Sequence, residues 1–178
     1  MIVTYALEAA LAVARGAMAA KVGPLDEARL SFRVTPVDCD IYGHMNNGRY
    51  LTVMDFGRWN WMQRSRLLEV SVARSWWPVL GAAEIEYRRE LRLFRRYQLA
   101  TRIAAWEGKW FWFEQRFLVG DEVYARGVVR GVIRHRGRSL PQAEVMDALG
   151  VADVSSPPPP GLPLRPRARP LAPDREAK

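Results

Sequence analysis

The sequence predicts an α+β fold in which one long helix is cradled by a curved antiparallel sheet of about five strands. Three observations carry that expectation. A helical stripe runs from Arg49 to about Leu68, with Tyr50, Val53, Met54, Gly57, Trp61 and Leu68 on one face at 100° per residue. Strand-like segments follow it, each alternating apolar and polar residues. The apolar face of the last strand then carries Ala125, Gly127 and Gly131, small residues that leave room for the Met54 and Trp61 side of the helix.

At 178 residues, with 49% hydrophobic residues and seven tryptophans, the chain suits one packed domain with a substantial core. Three segments are expected: a helical extension over residues 1–28, a main domain over 29–154, and a tail over 155–178. The first twenty residues are apolar, but Glu8 and Arg15 interrupt them and no basic stretch precedes them. A secretion signal and a membrane span both fit poorly. A helix that packs on the domain or lies against a membrane surface fits better. The lone cysteine, Cys39, forms no intrachain disulfide, and the expected location is cytoplasmic.

The tail "SSPPPPGLPLRPRARPLAPDREAK" is rich in proline, which lacks the amide that helices and central strands need, so disorder is expected there. It holds five basic residues against two acidic ones, a net +3, leaving about +5 of the total +8 for the rest. A positive balance attracts anions without naming them.

The main domain reads as strand, turn, helix and four strands. "RLSFRVTPV", residues 29–37, is the first strand, with Pro36 marking an edge or an end. Gly57 costs a helix interior about 1 kcal/mol against alanine, and in mid-stripe it permits a close approach to another surface. Ala83, Ile85 and Tyr87 share one strand face against Glu84, Glu86 and Arg88. Leu99, Thr101, Ile103 and Ala105 share a face of the next, and "EGK" at 107–109 turns the chain. Phe111, Phe113, Phe117 and Val119 follow, then a hairpin loop at 120–122. Val123, Ala125, Gly127, Val129, Gly131 and Ile133 line one face of the longest strand, and Arg126, Arg130 and Arg134 punctuate the other.

Between the first strand and the long helix lies "VDCDIYGHMNNGRY", residues 37–50, with more short polar side chains than a turn requires. Asn46, Asn47 and Gly48 fall at the helix start, where free amides and the helix dipole favour negative charge. Asn46 or Asn47 could cap those amides, which leaves the acids upstream unexplained. "DCDIYG" resembles the start of a calcium loop, but Arg49 stands where a bidentate glutamate is needed. One cysteine and two distant histidines are too few for structural zinc. No G-x-S-x-G elbow and no G-x-x-x-x-G-K-[ST] loop occurs. What remains is a carboxylate beside a helix N-terminus, the minimum equipment for acyl transfer.

The run V-D-C-D-I-Y-G-H-M-N-N-G-R-Y-L resembles the signature of hotdog-fold acyl-CoA thioesterases of the 4-hydroxybenzoyl-CoA thioesterase type, in the branch written D-x-D-x-x-x-H-M-N-N-x-R-Y-L. The resemblance covers about residues 29–137 and implies a hotdog fold. It implies that Asp40, the second acid of D-x-D, is the catalytic carboxylate. It further implies that the oxyanion amide belongs to Asn47, that the substrate is an acyl-CoA or similar thioester, and that the site forms in a homodimer or homotetramer. No metal or redox cofactor is needed. His44 matches a position that is often histidine in that branch, and two roles stay open for it: a hydrogen-bonding partner that shapes the loop, or a substrate contact. Asn46 is a candidate substrate contact, and Arg126, Arg130 and Arg134 are candidates for the coenzyme A phosphates. Against each arginine stands the simpler role of a solvated face or salt bridge.

Asp38 is expected to make local hydrogen bonds, and Arg49 and Tyr50 to tether the helix entry or a dimer contact. His135 is expected to be merely solvated. The aromatics of "WEGKWFWFEQRF" read as core and interface rather than a base-stacking platform. Two other functions compete. One is a non-hydrolysing acyl binder, or a dehydratase-like reaction through His44. The other is nucleic-acid binding by tail and tryptophans, disfavoured because no recognisable motif supports it.

Overall fold

The structure, a computed structural model, describes residues 2–151. The proline-rich tail expected from residue 155 lies outside the described residues. In chain order the elements are α1 (Ile2–Met18), β1 (Ala28–Arg33), a 3-10 turn (Pro36–Asp38), α2 (Asn47–Arg64), α3 (Leu67–Ala73), β2 (Trp77–Tyr87), β3 (Arg96–Glu107), β4 (Trp110–Val119), β5 (Glu122–His135), the two-residue β6 (Arg138–Ser139) and α4 (Gln142–Ala148). The five long strands run antiparallel in the order β1-β3-β4-β5-β2, with β6 pairing beside β5. This is the hotdog arrangement, a curled sheet around a central helix.

The helix lies against the sheet because its stripe is apolar and its middle is thin. Tyr50, Val53, Met54, Gly57 and Trp61 are all buried. A Cβ at Gly57 would stand 2.4 Å from Leu99 Cδ2 and 2.7 Å from Thr101 Oγ1. A Cβ at Gly127 would stand 2.3 Å from Met54 Cε. Both glycines are therefore the seats of a close helix-to-sheet contact. On either side of that seat the core divides in two. Trp61, Ile103, Phe111, Ile133 and Met146 pack at the C-terminal end of α2, and Val53, Met54, Leu99, Phe117 and Val129 at its N-terminal end.

Several boundaries differ from the sequence reading. β1 ends at Arg33 rather than residue 37, and Pro36 opens the 3-10 turn instead of closing the strand. The long helix runs 47–64, not 49–68: Ser65 caps it, Arg66 turns left-handed at φ 69°, and Leu68 belongs to α3. Ala105 does not share the face of Ile103. A register shift between Ile103 and Ala105 turns Ala105 to the outer side, where it packs with Trp112 and Val128. β2 begins at Trp77, six residues before Ala83, and it is an edge strand that leaves Trp77, Val79 and Leu80 exposed.

Of the two settings open for the N-terminal run, the structure packs α1 on α2. Ala12 is buried with Leu30 and Phe56, and Asn60 Nδ2 donates to Ala12 O at 2.9 Å. Among the described residues no helix is long and apolar enough to cross a membrane.

Candidate active site

The polar loop folds as two nested turns. Asp40 N donates to His44 O at 3.0 Å and Gly43 N donates to Asp40 O at 3.1 Å, which closes a tight loop over 40–44. Gly43 sits at φ 76°, a conformation that favours glycine. The loop is clamped to the segment after β2, where Leu91 O accepts from Met45 N at 2.8 Å and Leu93 N donates to Gly43 O at 3.0 Å. The outer turn ends at α2, where Asn46 N donates to Asp38 O at 2.9 Å.

The two acids receive opposite environments. Asp38 is 6% exposed and both of its carboxylate oxygens are engaged. Oδ2 accepts from Thr35 N and Thr35 Oγ1 at 2.7 and 2.6 Å, and Oδ1 accepts from Arg49 Nε at 2.5 Å. Arg49 also donates to Glu8 Oε1 of α1 at 2.6 Å. Burial opposes the Arg49 charge, but the two carboxylates outweigh it and hold the guanidinium above its ordinary range. Asp40, by contrast, keeps a side chain 23% exposed. Its Oδ1 accepts from Tyr42 N at 2.9 Å, and its Oδ2 lies 3.4 Å from His44 Nδ1. His44 in turn stacks on Tyr42, with ring centroids 5.9 Å apart. Cys39 lies between the acids. Burial first, then the charges of Asp38 and Asp40, push its thiol up, so it stays protonated and is a poor nucleophile.

At the helix start, Asn46 is the cap. Its Oδ1 accepts from Gly48 N at 2.9 Å, and its backbone oxygen accepts from Arg49 N at 2.9 Å. Those bonds satisfy the Gly48 and Arg49 amides and leave the one before them: the Asn47 N–H meets no acceptor among the described residues. Asn47 O accepts from Tyr87 Oη at 3.2 Å, which ties the first helical residue to the end of β2. Tyr50 packs edge-on against Tyr87 and Phe117, and burial pushes its phenol up to about 12, so it is neutral.

The structure thus brings Asp40, His44, Asn46 and Asn47 into one loop and helix entry, while the outer arginines lie elsewhere. Arg126 Nε donates to Glu114 Oε1 at 2.7 Å, and Arg102 binds the other oxygen. Arg130 is 6% exposed with its guanidinium 4.3 Å from the Trp110 ring centroid. Arg134 is exposed and donates to Gly137 O. His135 is half-buried, with Nδ1 3.3 Å from Ser75 O.

An apolar cavity of about 130 Å³ is separate from the loop. The second half of α2, the β2 edge at Val79 and Leu80, and Met146 of α4 wall it, with Asp55 and Arg58 at its side. Asp40 is not among the residues that line this cavity. Among the described residues, no cluster of three or more metal-ligating side chains occurs.

Two contributions escaped the sequence reading. Glu8 read as an interruption of an apolar run, yet with Leu11, Ala12 and Arg15 it has helical spacing, and that was the available signal. Gln115 is fully buried behind α2, donating to Met54 O at 2.9 Å and Thr101 Oγ1 at 3.0 Å and accepting from Arg58 at 2.6 Å. Its position on the apolar face between Phe113 and Phe117 marked it as a buried polar anchor.

The chain belongs to the Thioesterase-like superfamily, whose family model matches residues 34–162, more than half of it. It is 36% identical to Protein THEM6 of Xenopus laevis over 105 residues, which is 59% of this chain and 51% of that protein. The chain thus spans about half the length of the curated relatives it matches. Among solved structures it resembles the YbaW probable thioesterase of Escherichia coli, at TM-score 0.64 and 22% identity over 68% of this chain and 95% of that one. It also resembles the 4-hydroxybenzoyl CoA thioesterase of Pseudomonas sp. strain CBS-3, at TM-score 0.60 and 15% identity over 68% and 98%. At these identities the structural likeness establishes the fold.

Proposed function

We propose that the chain is an acyl-CoA thioesterase whose Asp40 carboxylate attacks the thioester carbonyl or takes a proton from the attacking water. The observation that carries this reading is the single free amide at the start of α2. With Gly48 N and Arg49 N already satisfied by Asn46, the Asn47 N–H is the donor left to meet an oxyanion, and the helix dipole adds to it. The thioester carbonyl oxygen accepts from Asn47 N–H as it gains charge. The carbon–sulfur bond then breaks. In the water route the hydroxyl stays on the acyl carbon, and the proton taken by Asp40 passes to the departing coenzyme A thiolate. In the direct route the acyl group stays on Asp40 as an anhydride until water hydrolyses it and supplies the thiolate's proton.

His44 positions the carboxylate in this scheme. Its contact with Asp40 Oδ2 and its stacking on Tyr42 hold the loop in one shape. The same contact supports a second reading, a dehydratase-like reaction in which Asp40 orients His44 as the base. Asn46 acts through its cap, by leaving Asn47 as the free donor. Of the three outer arginines, Arg134 is the one whose exposure suits a coenzyme A phosphate, because Glu114 engages Arg126 and Arg130 is buried.

The working unit in this proposal is a homodimer or homotetramer. The support is the β2 edge, eleven residues long with Trp77, Val79 and Leu80 exposed, a row of unpaired backbone groups and apolar side chains that a partner strand would cover.

The test of the oxyanion assignment is Asn47→Pro. Proline is tolerated in a first helical turn, and it deletes this one N–H. Turnover of an acyl-CoA that the wild type cleaves should fall by on the order of 10²-fold with the melt unchanged. Unchanged turnover in the folded variant would move the oxyanion site elsewhere.

A further inference from the structure

The helix α1 is apolar on two faces, and the fold uses one of them. Tyr5, Ala9, Ala12 and Gly16 make up the face that meets α2. Tyr5 packs on Phe56 with ring centroids 5.5 Å apart, and Ala9 and Ala12 join the cluster of Leu30 and Phe56. A Cβ at Gly16 would stand 3.0 Å from Asn60 O, so the two helices touch closely there. At 100° per residue, Leu7, Leu11, Ala14 and Met18 fall within about 60° of arc on the opposite side. Leu7 is 61% exposed, Leu11 49% and Met18 81%, and Ala10 and Ala14 are exposed beside them. Single exposed leucines are ordinary on a protein surface, but a continuous apolar stripe marks a contact.

Charge narrows what covers it. Glu8, the acid of α1, is bound by Arg49, and Asp55, which Tyr5 Oη reaches at 3.5 Å, is bound by Arg58. Arg15 and Lys21, at the C-terminal end of the helix and just beyond it, are exposed and have no ion-pair partner among the described residues. The stripe therefore carries no acid and is flanked by two free cations.

Area narrows it further. From Leu7 to Met18 the stripe is about 16 Å long and one helix, roughly 10 Å, wide. Even twice the resulting ~160 Å² falls short of the roughly 800 Å² per partner of a stable protein interface. A bilayer sets no such threshold, because apolar insertion and attraction to anionic headgroups add residue by residue. With 17 residues, Glu8 and Arg15 among them, α1 is too short and too charged to span, which takes about 20 mostly apolar residues.

We propose that α1 lies in the plane of an anionic membrane surface, with Leu7, Leu11 and Met18 in the boundary between headgroups and acyl chains and Arg15 and Lys21 at the lipid phosphates. Arg15 sits on the flank of the stripe, where its alkyl stem follows the apolar face and its guanidinium reaches the headgroups. This surface shares no residue with the Asp40 loop and stands whether or not the chain hydrolyses thioesters.

The test is sedimentation of the full chain with vesicles of phosphatidylcholine, alone or mixed with phosphatidylglycerol. Binding to the mixed vesicles should be saturable and at least about tenfold tighter than to phosphatidylcholine alone, since each basic residue near an anionic surface contributes about fivefold. Leu7→Gln combined with Leu11→Gln keeps every charge in the chain, the basic tail included, and a good helix former at both positions. It should weaken binding by at least about tenfold. Arg15→Gln combined with Lys21→Gln should weaken binding to the mixed vesicles only. Thermal melts confirm that both variants are folded. Absence of wild-type binding to the mixed vesicles would overturn the proposal, as would unchanged binding in either folded variant. Sedimentation equilibrium without lipid tests the other occupant. Self-association that the leucine variant abolishes, with no vesicle binding by wild type, would give the face to a second copy of the chain and overturn the proposal.

Discussion

Arg49 Nε donates to Asp38 Oδ1 at 2.5 Å, joining the first turn of α2 to the 3-10 turn eleven residues earlier, and the same guanidinium reaches Glu8 of α1. One side chain thus ties three segments together at the base of the candidate site. This assigns Asp38 to scaffolding by geometry, since it is buried and both of its carboxylate oxygens are engaged.

Asp38→Asn should therefore lower stability more than turnover. Asparagine keeps the shape but leaves Arg49 beside a neutral group and loses part of the Thr35 interaction. The expected cost is about 1.5–3 kcal/mol, the range for hydrogen bonds to charged partners. Urea melts measure it, and turnover per folded molecule should stay within a few-fold of wild type. A variant as stable as the parent would show that the Arg49 tie is dispensable.

Gly57→Ala is expected to destabilise the protein although alanine is the better helix former by about 1 kcal/mol. The added methyl would meet Leu99 Cδ2 at 2.4 Å, Thr101 Oγ1 at 2.7 Å and Gln115 Nε2 at 2.9 Å. Overpacking of this kind costs about 1–3 kcal/mol, so the steric effect wins. A melt at or above the wild-type temperature would contradict the close helix-to-sheet seat.

Glu114 sets a pH dependence. Burial opposes its charge, but the hydrogen bonds and charges of Arg102 and Arg126 outweigh burial and hold its carboxyl below the ordinary value of 4.5. A group whose folded value is depressed adds stability that is present above the unfolded value and is lost as pH falls through the folded one. Melts between pH 7 and pH 3 should show a loss below about pH 4.5, and Glu114→Gln should flatten that slope. An identical acid profile in the variant would remove Glu114 from the linkage.

The fold was legible where one face of an element is buried throughout. The stripe Tyr50, Val53, Met54, Gly57 and Trp61 is buried as its spacing requires, and Gly127 lies under Met54 as the small-residue face suggested. It was illegible where tertiary contacts override local pattern. The register shift at Ala105 leaves no mark in an apolar run. The first half of β2 is hidden because Pro78 and a bare edge remove the alternation that burial would impose. Asn46 and Asn47 sat visibly at a helix start, but which of them caps and which leaves a free amide depends on backbone geometry. The pairing of Asp38 with Arg49 needed the fold, since nothing in residues 37–50 alone says which acid faces inward.

The most direct measurement is steady-state hydrolysis of a panel of acyl-CoAs by wild type, Asp40→Asn and Asp38→Asn, with melts as folding controls. Asp40→Asn keeps the shape of a side chain that is part exposed and has one backbone hydrogen bond, so the fold should persist. Loss of a general base costs about 10²- to 10⁴-fold in rate, and loss of a nucleophile more. The expected result is a fall of at least about 10²-fold in kcat for Asp40→Asn, with Asp38→Asn near wild type per folded molecule. Wild-type turnover by folded Asp40→Asn, on a substrate that the parent cleaves, would contradict the assignment of Asp40 as the catalytic carboxylate.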